Sequence, residues 1–207
     1  VFSRSMIYHD KLKATIKSLK QHTNSQLGPH VYIVGGTGVG KSEIGEIIAQ
    51  TNEIRYTNIY KATLEPIISQ LVNPVTRSTI NAMFKHIYEN FGYDFTLLSI
   101  LNLDLGMNRG VLESIRNPKE IEIIREKNKD SLFIGITCSD MEERKRRIKD
   151  RRRDLDIELG DDKISQMLDE DEDIFQVNGG LALCDHTYDN IQSLEERNRW
   201  AENVKLS

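Results

Sequence analysis

The chain has 207 residues, of which 38% are hydrophobic and 29% are charged, and its formal net charge at pH 7 is −4. This composition predicts one soluble, globular domain, with room for a small appendage. It argues against a general polyanion binder, because any basic site has to be local, and against a membrane protein, because no apolar run approaches the roughly 20 residues that a spanning helix requires.

The N-terminal region allows two interpretations. Its first 20 residues are basic and poor in acids, as in a mitochondrial transit peptide. They also place four apolar side chains on one face of a helix, namely Tyr8, Leu12, Ile16 and Leu19. We prefer a packed helical extension over residues 1–28, which stops at Gly28-Pro29.

A buried strand, a glycine-rich loop and an amphipathic helix are predicted next. The continuous apolar run VYIV (31–34) predicts the strand, and SEIGEIIAQ (42–50) has apolar side chains at helical spacing. Between them, GGTGVGKS (35–42) matches the phosphate-binding pattern G-x-x-x-x-G-K-[ST].

The glycine-rich loop predicts a nucleotide-binding site. Glycine permits backbone angles that turn several N–H groups toward one point, and the N-terminus of the following helix adds positive partial charge. In this pattern Lys41 reaches the β- and γ-phosphates of ATP, and the Ser42 hydroxyl binds Mg²⁺. The predicted nucleotide-binding residues of the loop are Gly35, Gly36, Thr37, Gly38, Val39, Gly40, Lys41 and Ser42.

Strands and helices alternate through the rest of the chain. The predicted strands are EIRYTNI (53–59), GVLESI (110–115), SLFIGITCS (131–139) and HTYDNI (186–191). The predicted helices lie within 60–104, with interruptions at 73–77 and 91–94, and at 116–127, 140–150 and 193–204. A polar segment runs from 151 to about 180. This alternation predicts an α/β protein with a parallel sheet that helices cover on both faces.

The segment RKRRIKDRRR (144–153) contains eight lysine and arginine residues. A solvated helix face, a nucleic-acid surface and a mobile arginine lid that closes on phosphates are the three interpretations. The nucleic-acid surface lacks interleaved aromatic residues, and the whole chain is acidic. We favour the lid, because the segment follows a strong strand in a chain that carries a phosphate loop.

Three other sequence features are given structural interpretations. The acidic run DEDED (169–173) lacks the alternating ligands and the glycine of a calcium loop, so we expect a solvated helix end. The cysteines Cys138 and Cys184 have no metal-binding or redox spacing, so we expect free thiols in a reducing compartment, the cytoplasm. Trp200 is expected to anchor the C-terminal helix.

The order of these motifs resembles one group of P-loop proteins. The phosphate loop is followed by NPVTR, FGYD, IRNPKEIEIIRE, SLFIGITCS, the arginine-rich segment and D-x-T-x-x-N-x-x-SLEE. This order is similar to nucleoside-monophosphate-kinase-type proteins, in the branch around dephospho-CoA kinases, deoxynucleoside monophosphate kinases and archaeal adenylate-kinase-like proteins. The resemblance covers residues 30–197.

The resemblance implies a three-layer P-loop kinase fold over residues 29–207. That fold has a central parallel sheet, a helical cover that binds the acceptor, and an arginine lid at about 150–178. By the same resemblance the catalytic residues are Lys41, Arg147, Arg151 and Arg153. The acceptor would contact Arg116 and Arg77, with Thr76 beside it, and Asn190 would lie against the adenine or the phosphate loop.

Two positions depart from the family pattern. Glu113-Ser114 stands where relatives have Asp-Gly, and Glu113 is the expected second metal ligand, with Ser42, although its longer side chain changes the reach. Tyr88 stands near the position of an arginine that binds the acceptor phosphate in relatives. The acceptor-binding residues predicted for this chain are therefore Arg116, Arg77 and Tyr88.

The expected function is ATP- and Mg²⁺-dependent phosphoryl transfer to a nucleoside monophosphate or a similar small acceptor. One alternative is a nucleotide-binding module that is weakly active or inactive and acts through a partner. A second alternative is an NTPase that acts on nucleic acid. The expected partners are the nucleotide and a small phosphorylated acceptor, without membrane or nucleic acid; a homodimer and a mitochondrial location stay open.

Overall fold

The structure is a computed structural model. It describes residues 27–66, 76–103, 109–150, 160–191 and 193–206, together with positions 10, 13, 14, 16, 17 and 69. No helix within these residues is long and apolar enough to cross a bilayer.

Five parallel strands form one sheet in the order β2-β3-β1-β4-β5. Their bounds are Val31–Val34 (β1), Arg55–Asn58 (β2), Gly110–Ile115 (β3), Leu132–Thr137 (β4) and His186–Asp189 (β5). The three inner strands are almost wholly apolar and buried, as strands covered on both faces require. The predicted α/β fold with a parallel sheet is confirmed, and all five predicted strands are present.

Eight α-helices are described. They are Lys41–Thr51 (α1), Arg77–Phe91 (α2), Asp94–Leu101 (α3), Pro118–Lys127 (α4), Met141–Asp150 (α5), Asp161–Phe175 (α6), Val177–Ala182 (α7) and Leu194–Glu202 (α8). A π-helical turn, Tyr60–Leu64, follows β2. The predicted break between the two helices after residue 60 is confirmed at Gly92, whose φ of +74° ends α2.

The central strand β1 builds both halves of the core because its side chains alternate between the two faces of the sheet. Val31 and Ile33 join a cluster with α1 and α8, whereas Tyr32 and Val34 join a second cluster with α3 and α4. Trp200 stacks on Tyr188 at 4.3 Å between ring centroids, which confirms its role as the anchor of α8.

A third apolar cluster joins the N-terminal region to the helices that cover the sheet. Ile16 is 6% exposed and packs in a cluster with Met83, Ile87 and Phe95. Its burial agrees with the predicted packed helix, whereas Tyr8, Leu12 and Leu19 lie outside the described residues.

The described part of the polar segment from 151 to about 180 is helical. Helices α6 and α7 occupy residues 161–175 and 177–182. The inward face of α6 carries Ile164, Met167, Leu168 and Phe175 at helical spacing, which the abundance of acids in the same stretch conceals. Both cysteines are free thiols, as predicted.

Candidate active site

The glycine-rich loop connects β1 to α1, and its shape depends on glycine at two positions in particular. Gly38 and Gly40 have φ of +85° and +88°, which other residues rarely adopt. A Cβ at Gly38 would also lie 2.8 Å from Ile148, and one at Gly40 would collide with the Asn190 amide. The loop is therefore fixed both by its own backbone and by the elements packed around it.

The N-terminus of α1 has the features of an anion site. Gly40 is its N-cap and supplies no side-chain hydrogen bond to the first turn, so the backbone N–H groups there are available to an anion. Lys41 is 6% exposed, and its Nζ donates a 2.5 Å hydrogen bond to the Gly36 carbonyl. The ammonium group thus lies over the loop, close to where phosphates bind in this motif.

An irregularity in β3 places Glu113 beside the loop. The pairing of β1 with β3 shifts at Ser114, whose φ is +97°, so the strand contains a β-bulge directly after Glu113. The Glu113 carboxylate is buried and accepts hydrogen bonds from the Ser42 hydroxyl at 3.1 Å, the Asn58 amide at 3.0 Å and the Tyr56 hydroxyl. Burial, with the Glu113 charge beside it, raises the pKa of Tyr56.

The Ser42 hydroxyl and the Glu113 carboxylate offer oxygen atoms, which are the ligands that Mg²⁺ prefers. Two protein ligands are enough, because Mg²⁺ usually keeps several of its waters. The described residues contain no cluster of three or more histidine, cysteine or acidic side chains that would hold a metal by themselves. These two side chains would therefore hold the ion together with nucleotide phosphates and water.

Helix α5 brings two arginines to the loop. Asp140 caps this helix, accepting from the Glu143 N–H at 3.0 Å. The Arg144 Nε donates to the Thr37 carbonyl at 2.7 Å, so Arg144 braces the loop directly. The Arg147 Nε donates to Glu143 at 2.7 Å. Among the described residues, the buried Nη1 of Arg147 has no hydrogen-bond partner.

The pKa values around α5 follow from these contacts. Hydrogen bonds from Arg146 and Arg147 lower the pKa of Glu143 to about 2, so this carboxylate is ionised at neutral pH. Burial lowers the pKa of Arg144, but a guanidinium stays protonated in proteins. The other predicted lid arginines, Arg151 and Arg153, lie outside the described residues.

A cleft of about 610 Å³ opens beside the loop. It lies between the loop, α5 and the segment that joins β5 to α8, and its lining comprises Gly38, Gly40, Ser42, Glu43, Glu143, Arg146, Arg147, Asp150, Asn190, Leu194 and Arg197. Asn190 is fully buried, and its Nδ2 donates to the Val39 carbonyl at 2.8 Å. The structure thus places Asn190 against the loop, as the sequence predicts.

A second group of polar side chains meets on the other side of the loop, around Asp171 of α6. The Asp171 carboxylate accepts from the Thr37 hydroxyl at 2.5 Å, the Asn81 amide at 3.1 Å and Arg116 at 3.2 Å. Asp171 is 1% exposed, so the interpretation of DEDED as a solvated helix end is wrong at this position. Arg116, a predicted acceptor residue, lies in this group and also stacks on Phe175.

The Glu120 carboxylate accepts several hydrogen bonds from residues next to Arg116, in the predicted acceptor region. It accepts from the backbone N–H groups of Arg116 and Asn117 at 3.2 and 3.0 Å, and from the hydroxyl of Thr96. The Tyr88 hydroxyl donates to the same carboxylate at 3.0 Å. Burial raises the pKa of Tyr88, and the negative charge of Glu120 raises it further.

The remaining predicted acceptor residues lie at the start of α2. Thr76 caps this helix in a reciprocal box with Thr79. Arg77 begins the helix, and its side chain lies outside the part of the structure that is described.

The sequence analysis missed Asp171, Asn81 and Glu120. A usable signal exists for the first, because Asp171 continues the inward helical series of residues 164, 167, 168 and 175. A carboxylate on a buried face requires charged or hydrogen-bonding partners. For Asn81 and Glu120 the sequence holds no comparable sign, since their importance depends on the packing of other elements.

Comparisons with solved structures support the fold. The chain is similar to a gluconokinase from Sinorhizobium meliloti 1021 at 18% identity, with 85% of this chain and 90% of that chain covered and a TM-score of 0.52. It is also similar to a shikimate kinase from Acinetobacter baumannii in complex with shikimate, at 14% identity, 86% and 92% coverage and a TM-score of 0.51. A sugar kinase from Janibacter sp. HTCC2649 matches at 14% identity, 84% and 92% coverage and a TM-score of 0.50.

No family model and no curated protein sequence matches the chain. The similar solved structures show that this chain has the fold of P-loop small-molecule kinases, with the strand order β2-β3-β1-β4-β5. The similarity at these identities concerns the fold, and the predicted branch within the kinases stays a prediction.

Proposed function

We propose that this protein is an ATP- and Mg²⁺-dependent kinase that transfers the γ-phosphoryl group to a small acceptor. One observation carries the proposal: a phosphate loop with a buried lysine adjoins both a Ser42–Glu113 oxygen pair and the arginines of α5. Phosphoryl transfer depends chiefly on positioning and electrostatic stabilisation, and these are the groups that supply both.

In the proposed mechanism the loop amides and Lys41 bind the phosphates, and Ser42 and Glu113 hold Mg²⁺, which neutralises phosphate charge when bound. Among the described residues, the buried Nη1 of Arg147 has no hydrogen-bond partner, and Arg147 lines the cleft, where this group could donate to a phosphate. The proposed lid, with Arg151 and Arg153, would close over the transferring group. Asn190 would keep the loop in place under the nucleotide.

The motif order makes nucleoside monophosphates, deoxynucleoside monophosphates and dephospho-CoA the first acceptors to test. The names of the similar structures add sugars, gluconate and shikimate. The test is ADP release from ATP and Mg²⁺ in the presence of each acceptor. If no acceptor of this panel accelerates ADP release, the kinase proposal fails.

Two variants test the role of Lys41 in this assay. Lys41→Ala removes the buried ammonium and is expected to lower the rate by about 10²-fold or more. Lys205→Ala, at an exposed position near the C-terminus, is the matched control and is expected to keep the wild-type rate.

A nucleotide-binding module without turnover is the second candidate. It is favoured by the engagement of Arg116 with Asp171 and of Tyr88 with Glu120, because these contacts occupy the predicted acceptor residues. It predicts tight binding of ATP by calorimetry with no ADP release in any reaction of the panel. Accelerated ADP release with one acceptor excludes it.

A further inference from the structure

The cleft beside the phosphate loop is lined in part by a carboxylate, that of Glu143. Hydrogen bonds from Arg146 and Arg147 lower the pKa of this carboxyl to about 2, so it is fully charged at neutral pH. A negative charge at this place repels the phosphates of a nucleotide. The contacts of Glu143 show what offsets that repulsion.

Both carboxylate oxygens of Glu143 accept hydrogen bonds from arginine side chains of the same helix, α5. Oε1 accepts from Arg147 Nε at 2.7 Å and from Arg146 Nη2 at 2.8 Å, and Oε2 accepts from Arg146 Nε at 2.7 Å. The Nη1 of Arg146 donates to Asp150 at 2.7 Å. Glu143 is therefore held by Arg146 on one side and bonds to Arg147 on the other.

The two arginines differ in what their remaining donors face. The side chain of Arg146 is 62% exposed and is shared between Glu143 and Asp150. The side chain of Arg147 is only 20% exposed, and a Cβ built on Gly40, the N-cap of α1, would lie 3.7 Å from its Nη1. This Nη1 is the buried donor without a hydrogen-bond partner among the described residues. Arg147 thus directs a donor toward the anion site while Glu143 holds its Nε.

A bond at Nε fixes the direction of the other donors, because the guanidinium group is planar and rigid. An arginine without such a bond would lose more conformational freedom when it binds an anion. Asp189 also attracts Arg147, but its own hydrogen bonds come from the Ser139 N–H at 2.8 Å and the Thr137 hydroxyl at 3.2 Å. Among the described residues, the carboxylate hydrogen-bonded to Arg147 is that of Glu143.

We propose that Glu143 is a positioning residue, which holds Arg147 so that its Nη1 is directed at the phosphates of the bound nucleotide. The inference rests on the proposed function and adds to that site a residue that acts through Arg147 and does not touch the nucleotide. Binding sites are commonly organised in this way, with hydrogen bonds that lock the side chains in contact with the ligand. Removal of Glu143 should therefore weaken nucleotide binding, although it removes a repulsive charge.

The sign of the effect gives the first test. The affinity of a non-hydrolysable ATP analogue with Mg²⁺ is measured by calorimetry for the wild type, Glu143→Ala and Glu143→Gln. Glu143→Ala is expected to bind about tenfold more weakly, the magnitude of one hydrogen bond to a charged group. Glu143→Gln should lie between the two, because its amide oxygen can still accept from Arg147. Unchanged or tighter binding by Glu143→Ala overturns the inference.

The control variant is Glu142→Ala, at the adjacent position of α5. Glu142 is 81% exposed and pairs with Lys145, so the variant also loses an ion pair of this helix. We expect it to keep the wild-type affinity. A loss as large as that of Glu143→Ala would mean that any ion pair of α5 has the same effect, which overturns the inference.

A double-mutant cycle shows whether Glu143 acts through Arg147. Arg147→Ala alone is expected to weaken binding about tenfold or more. Adding Glu143→Ala to it should cause no further loss, whereas a purely structural role would cause the same loss in both backgrounds. In an Arg146→Ala background, Glu143→Ala should keep most of its effect. Disappearance of the effect in that background, or its persistence without Arg147, contradicts the proposal.

ADP release with the acceptor panel is measured separately, so that the two proposals are distinguished. The expected pattern of affinities without any ADP release leaves the role of Glu143 intact and rejects the kinase function. ADP release by the wild type together with an unaffected affinity in Glu143→Ala rejects the role of Glu143 alone. A wild-type protein that does not bind the ATP analogue rejects both.

Discussion

The Ser42 hydroxyl, in the first turn of α1, donates a 3.1 Å hydrogen bond to Glu113 of β3. The pair joins the start of α1 to the end of β3, and the bulge at Ser114 aims the glutamate toward the loop. The Glu113 side chain thus reaches the serine beside a local distortion of the strand.

Glu113→Gln is expected to raise the Mg²⁺ concentration for half-maximal ADP release by about 10- to 100-fold. The amide keeps the shape of the side chain but lacks the negative charge that attracts the ion. Glu46→Gln, at an exposed position of α1, is the control. An unchanged Mg²⁺ dependence would mean that Glu113 only holds Tyr56 and Asn58.

Asn190→Ala is expected to loosen the phosphate loop. It leaves the buried Val39 carbonyl without its donor, which costs about 1–3 kcal/mol of unfolding free energy. Weaker binding of an ATP analogue by calorimetry should accompany this loss, because the loop amides are no longer held in position. Asn178→Ala, at an exposed position of α7, should change neither quantity. Wild-type affinity in Asn190→Ala would contradict the role of the contact.

At position 114 a glycine is expected to give a more stable protein than an alanine, which is the reverse of the usual order. Its φ of +97° strains any residue with a Cβ, and both variants lose the hydrogen bond to Asn58. Ser114→Gly should therefore be more stable than Ser114→Ala by about 1 kcal/mol, as measured by urea denaturation. If alanine proves the more stable replacement, the bulge does not persist in solution.

His30 is expected to make stability depend on pH. Burial lowers its pKa to about 4, from 6.5, and its Nδ1 accepts from the Gly110 N–H at 3.2 Å. Between these values the unfolded chain binds a proton that the folded protein excludes, so the unfolding free energy falls as pH drops from about 6.5 to 4.

The matched variant for this prediction is His30→Asn, whose Oδ1 can accept the same hydrogen bond but does not titrate. Urea denaturation of both proteins at pH 7 and pH 4.5 gives the measurement. The wild type should lose about 1–3 kcal/mol more than the variant over this interval. Equal losses would show that His30 is accessible to protons in the folded state.

The sequence predicts the phosphate loop and the sheet because both depend on neighbours in the chain. An apolar run such as VYIV specifies a buried strand, and the glycine spacing specifies the loop, so the location of Lys41 and Ser42 at the start of α1 follows from the local sequence. The cluster around Asp171 could not be predicted in this way. Its charge pattern resembles a solvated surface, and its burial becomes visible only when α6 packs against α2 and the loop.

The hydrogen bonds of Asp171 also bear on the order in which the protein folds. Their donors lie 134, 90 and 55 positions away along the chain. Contacts of such long range form late, because a large loop has to close before they stabilise anything. During synthesis the strand, loop and helix of the phosphate site emerge first, and the polar cluster is completed only after α6 has been made. Asn190, which holds the Val39 carbonyl of the loop, is made later still, so the phosphate loop is expected to reach its final shape only after β5 and the residues that follow it have been made.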